Sequence, residues 1–227
     1  MSLHAAAPAG FDAANRLYDK NDFKGARAAY GELVKANNWS ANLFYNLGDA
    51  AFREGDKGAA ILAYERALAL EAGHPEALAN LRFLREATGA RLPVEPRLGR
   101  ILSWPDRNEA AWLAAVAFWG ICFGLAPLAW KRRPAGALVV FCSLALIWSG
   151  AVLGWQHSRG ETWIVTTEGA KARSMPADNS PALSPLPTGS HVRLLLERGP
   201  WVNIELPDAS RGWIPREAVS PIRIETL

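Results

Sequence analysis

The chain has 227 residues, 25 basic and 22 acidic side chains, and 50% hydrophobic residues. Its formal charge of +3 is uneven: residues 1–90 and 161–227 each carry net −1, while residues 91–160 carry net +5. The cations therefore gather around an apolar middle and not on a folded face that could cover phosphates, which excludes nucleic-acid binding. The length allows two small domains, or one domain with membrane segments.

Residues 1–7 show no periodic pattern and are expected to be disordered. Their "AAAPA" has the small-residue composition found around a cleaved export signal, so the expected start of the precursor lies upstream. Residues 8–88 contain an internal repeat of period 34. Ala14 recurs as Gly48, Asp22 as Asp56, Ala26 as Ala60, Ala29 as Ala63 and Tyr30 as Tyr64. Small residues at two fixed places, with a tyrosine beside them, predict paired helices that approach closely. Asn21-Asp22 and Gly55-Asp56 are the expected turns. Pro75 opens a further helix to about Ala87. Arg82 stands there where the repeats carry Ala14 and Gly48, so this helix is expected to close the array.

The stretch Asn46 to Leu68 resembles the tetratricopeptide repeat (TPR), with Phe11 to Val34 a weaker match. The resemblance implies an all-α solenoid whose first helices line a groove for partner proteins. Carried over by position, the groove residues are Asn15, Tyr18, Asn42, Tyr45, Asp49 and Arg53, with Phe11 and Phe52 weighed more as packing between repeats. Some relatives clamp a carboxylate with lysines. Asn15 is present but those lysines are not, so that specificity is not expected.

Residues 89–108 read as a linker toward the membrane. Arg100, Ile101, Leu102 and Trp104 either lie along the interface or simply connect. Two charge-free runs follow, about 110–130 and 135–155, within a segment 109–156. A helix of about 20 residues spans the roughly 30 Å hydrocarbon core, so the pair predicts a transmembrane α-hairpin. Gly120 and Gly124, then Gly150 and Gly154, are small residues four apart that suit close helix packing. Counted from the turn, the two pairs are offset and cannot face each other in a simple hairpin. Cys122 and Cys142 are equally far from the turn and are expected to act as small buried residues. The turn itself carries Lys131, Arg132 and Arg133.

Residues 161–225 alternate short β-type runs with Pro, Gly, Asn and Asp. "TWIVTT", "HVRLLLE", "WVNIEL" and "GWIP" are the strand candidates. The series Ala172-Arg173-Ser174-Met175-Pro176, Leu186-Pro187-Thr188-Gly189, Glu197 to Val202, and Arg211-Gly212-Trp213-Ile214 resembles a bacterial SH3 (SH3b) domain, an all-β SH3-like barrel. Domains of that kind bind cell-wall peptides or proteins, which points to Trp201 and Trp213 and the segment Ser180 to Pro187. Core packing is the stronger reading for Trp213, and Ala177 to Pro187 is expected to be a mobile loop.

The histidines His4, His74, His157 and His191 have no neighbour at metal-ligand spacing. No nucleophile elbow, phosphate-binding glycine loop or paired acid–base set appears. The chain is expected to be neither an enzyme nor a holder of a metal or cofactor.

The order of TPR array, membrane hairpin and SH3b domain makes a multidomain membrane protein that resembles the BatE proteins of the aerotolerance (Bat) operon. The resemblance implies a non-catalytic scaffold in the inner membrane, linked to oxidative stress. Its implied partners are other Bat membrane proteins with von Willebrand-type domains and a MoxR-type ATPase. One rival is a cell-wall adaptor that holds peptidoglycan peptides and recruits a peptidoglycan hydrolase. Another is a redox protein using Cys122 and Cys142. The cationic turn is expected in the cytoplasm and both soluble domains in the periplasm, with the reverse orientation as the alternative.

Overall fold

In the computed structural model the described residues are 9–93, 101, 107–127, 136–158 and 161–224. The chain divides into two compact units, Met1–Pro93 with Glu161–Leu227, and Val94–Gly160.

The first unit begins with five helices: α1 (Ala9–Asp19), α2 (Phe23–Lys35), α3 (Ala41–Arg53), α4 (Lys57–Leu70) and α5 (Pro75–Thr88). Their ends recur at the spacing of 34. Asn21 and Gly55 take left-handed backbone angles, φ 61° and 87°, and reverse the chain. Asp22 then accepts from the Gly25 amide and Asp56 from the Ala59 amide, both at 2.9 Å, capping α2 and α4. Ser40 caps α3 and His74 caps α5, again 34 apart. Arg27 on α2 reaches Glu54 and Asp56 at 2.8 Å each. Burial works against its charge, but the bonds to the two carboxylates outweigh this and raise its pKa.

Between the helices lies a core of Ala14, Ala26, Tyr30, Phe44, Ala50, Ala60, Tyr64 and Leu81, all nearly or fully buried. Gly48 shows why one position must be small. A methyl group there would sit 2.6 Å from Tyr64 Cε1.

Residues 161–224 form a seven-stranded antiparallel sheet: β1 (Thr162–Val165), β2 (Lys171–Arg173), β3 (Ala182–Pro185), β4 (His191–Arg198), β5 (Trp201–Glu205), β6 (Arg211–Pro215) and β7 (Val219–Pro221). The spatial order is β3-β2-β6-β5-β4-β1-β7, so β3 and β7 are the edges. The expected strands correspond to β1, β4, β5 and β6, while β2, β3 and β7 were not anticipated. The expectation of a loop throughout Ala177 to Pro187 needs correction, because β3 pairs there with β2. An edge strand tolerates Pro185, whose missing N–H would break an inner ladder.

The sheet shares a core with the helices. Along β1, Trp163 and Val165 point into the sheet's own cluster while Ile164 points into the helical one. Ile222 and Ile224, just past β7, join Ile164 on the helical side. A strand covered on both faces shows a continuous apolar run in place of alternation, which accounts for "WIV".

In the second unit, α6 (Arg107–Leu125) packs against α7 (Gly136–Ser158). Each contains a window apolar enough to cross a membrane, of 18 and 20 residues. Only 17% of each window is buried, unlike the core helix of a soluble protein.

Candidate functional site

A hydrogen-bonded ladder runs through the helical array. Tyr30 donates to Asn15 Oδ1 at 2.6 Å, and Asn46 Nδ2 donates to the same oxygen at 3.2 Å. One period later Tyr64 donates to Asp49 Oδ1 at 2.5 Å, and Asn80 Nδ2 donates to it at 3.1 Å. Each rung ties the first helix of one pair to the second helix of that pair and to the first helix of the next. Asn46 and Asn80 were missed from sequence, although their spacing of 34 was there to be found.

Over the first rung opens a pocket of about 280 Å³, lined by Asn15, Tyr18, Asp19, Tyr30, Asn46 and Asp49. Tyr30 and Tyr45 have pKa values pushed up to about 12, chiefly by burial, with the nearby Asp49 charge adding to it. Tyr64 is pushed up further, by burial first and then by its bond to Asp49.

Of the groove residues expected from sequence, Asn15, Tyr18 and Asp49 line this pocket. Asn42 lies elsewhere, with Oδ1 3.2 Å from His74 Nε2. His74 Nδ1 accepts from the Ala77 amide at 3.3 Å, which caps α5. The Tyr45 ring stacks between Tyr64 and His74, with centroids at 5.9 and 5.1 Å. Arg53 extends over the Phe23 ring, 5.9 Å from its centroid. Phe52 on α3 is partly exposed and meets Phe83 of α5 edge-on, a ring contact between successive helix pairs.

At the junction of helices and sheet, Glu65 Oε1 accepts from Arg85 and lies 2.8 Å from His191 Nε2. Gly58 sits directly against the Thr166 backbone carbonyl, leaving no room for a side chain. Gly189, at φ 85°, faces Ile61 in the same way. Arg66 is 7% exposed and donates to the Pro221 carbonyl at 2.9 Å. Burial pulls its pKa down to about 10, and its Nε has no hydrogen-bond partner. A buried cation held by one carbonyl bond contributes little net stability. Arg66→Met is therefore expected to change stability by less than about 1 kcal/mol. Thermal unfolding of the full chain in detergent micelles measures it, and a loss of several kcal/mol would refute this view of Arg66.

In the sheet Trp201, for which packing and binding stood about even, is the more covered of the two tryptophans. Trp201 is 9% exposed, while Trp213, weighed above as the core residue, keeps part of its surface open. Trp201 is covered because β5 lies at the middle of the sheet, with Arg198 and Pro215 beside it.

Lys131, Arg132 and Arg133 lie outside the described residues. In the hairpin, Gly120 packs against Cys142 and Gly124 against Val139, while no described residue comes within 4 Å of a methyl built on Gly150 or Gly154. Cys142 is buried, but Cys122 is exposed. Cys122 lies two positions along α6 from each packing glycine, so it faces away from α7 while Cys142 faces α6. Among the described residues no three His, Cys, Asp or Glu side chains gather as a metal site.

No family model matches the chain. A stretch of 85 residues is 41% identical to a probable biofilm formation methyltransferase, WspC, of Pseudomonas aeruginosa, covering 37% of this chain and 20% of that protein. The expectation that the chain is not an enzyme is corrected by this finding, since part of it is shared with a protein named for an enzymatic activity. The match spans about a fifth of that protein's length, and the activity in the name is stated of that protein.

Proposed function

We propose that the chain is a membrane-anchored, partner-binding component of a Bat-type, aerotolerance-linked inner-membrane complex. On this reading α1–α5 form a TPR solenoid, the sheet is an SH3-like barrel, and α6 and α7 are the anchor. The observation that carries it is the ladder repeated at 34 residues, Asn15–Tyr30–Asn46 and Asp49–Tyr64–Asn80. It holds successive helix pairs in register and leaves a polar pocket on the face of α1 and α3, as a solenoid groove requires. Gly212 supports the SH3-like reading. It sits against Ala172, with a built methyl 2.9 Å from the Ala172 Cβ, so the Gly-Trp and Ala-Arg-Ser motifs meet in one packing contact.

The groove would hold a partner membrane protein with a von Willebrand-type domain, in a complex that also works with a MoxR-type ATPase system. The soluble parts would be periplasmic and the turn cytoplasmic. Affinity purification of the full chain from native membranes, with quantitative mass spectrometry, tests this. Recovery of such partners, reduced by Asp49→Arg, is the expected result. Recovery of the chain alone, or with wall hydrolases only, would sink it.

A further inference from the structure

The pocket on the α1–α3 face has a definite charge. Asp19 and Asp49 line it, and no lysine or arginine does. Among the described residues neither carboxylate makes an ion pair. The two bonds Asp49 accepts come from a neutral hydroxyl and a neutral amide, so its charge is solvated by dipoles but not cancelled. Asn15 likewise turns its oxygen to Tyr30 and Asn46. Tyr18 adds an aromatic surface, held edge-on by Phe23 at 5.2 Å. The raised pKa of Tyr30 has contributions from both Asp19 and Asp49, so the two charges act on one point from two helices.

An anion brought here meets two like charges, whereas a cation gains both carboxylates and a tyrosine ring. No third His, Cys, Asp or Glu joins the two carboxylates among the described residues, so a side-chain cation suits the pocket better than a metal ion. We infer that this pocket takes a lysine or arginine side chain of an extended partner segment. The inference rests on the groove reading above and supplies the chemistry that reading leaves open. Charge complementarity selects this occupant over an acidic segment or a carboxylate terminus.

The test is a peptide array probed with the full chain in detergent micelles. Each peptide occurs in a lysine, a norleucine and a glutamate version. The lysine versions are expected to be retained preferentially, with retention falling as salt rises. Asp19→Asn and Asp49→Asn are each expected to weaken lysine binding about fivefold while leaving norleucine binding unchanged. Asparagine at 49 keeps the oxygen that accepts from Tyr64, so the fold survives. Equal retention of all versions, or a lysine preference untouched by both variants, overturns this inference alone. No retention of any version overturns the groove reading and this inference with it.

Discussion

Gly58→Ala is expected to destabilise the full-length protein by about 2 kcal/mol, whereas Gly31→Ala is expected to stabilise it by about 1 kcal/mol. Both glycines lie in helices, α4 and α2, so alanine gains up to about 1 kcal/mol of helix propensity at either place. What differs is the space. A methyl on Gly31 meets nothing within 4 Å among the described residues, but one on Gly58 collides with the Thr166 backbone carbonyl. Backbone cannot rotate aside as a side chain can, and Thr166 is fixed by the hydrogen bond that its N–H donates to the Ala218 carbonyl at 2.9 Å. Overpacking of this kind costs about 3 kcal/mol at the upper end of the usual range and outweighs the propensity gain. Thermal melts in micelles read both variants. If the two shifts share a sign, the close approach at Gly58 is wrong.

Tyr64→Phe is expected to cost about 2 kcal/mol and Tyr30→Phe about 1 kcal/mol, although both hydroxyls are equally placed in the repeat. The Tyr64 acceptor is a carboxylate, the Tyr30 acceptor a neutral amide, and hydrogen bonds to charged groups are worth more. Denaturant titration of the two variants settles the order, and equal costs would mean that Asp49 is screened. The same tyrosines predict alkaline sensitivity. The folded pKa values of Tyr30 and Tyr64 are both raised, chiefly by burial, so their contribution to stability is complete below the unfolded value near 10 and declines as pH rises through the folded values, about 12 for Tyr30 and higher for Tyr64. Loss of stability in that window should be smaller in the Tyr64→Phe variant.

The repeat was legible because helix packing makes blunt demands. Ala14 and Gly48 must be small, Asp22 and Asp56 must cap, and such needs leave the same residue type at the same interval. The polar rungs were equally regular, yet Asn46 and Asn80 look like ordinary surface residues until their partner across the next helix is known. The sheet was legible where β-branched and aromatic residues gather, as in the four residues of β1. The short strands β2, β3 and β7 hold one such residue between them, Val219, so nothing marked them. The roles of Trp201 and Trp213 depend on which neighbours flank β5 and β6, which local sequence does not contain. Arg66 gave no signal at all, since a surface arginine and a buried one are written alike. The junction left one trace, the unbroken "WIV", which only a strand covered on both sides explains.

That shared core has a consequence for how the protein is made. The helices are complete in sequence by Thr88, but Ile164, Ile222 and Ile224, which close their exposed side, are synthesised only after both apolar helices. At about 5–20 residues per second the ribosome needs roughly 7 to 27 s to supply them. During that interval the newborn helical array presents Ile61 and the Arg66 guanidinium to whatever is nearby. A holding chaperone, or slow translation of the later segment, would then decide how much of the chain reaches its native state.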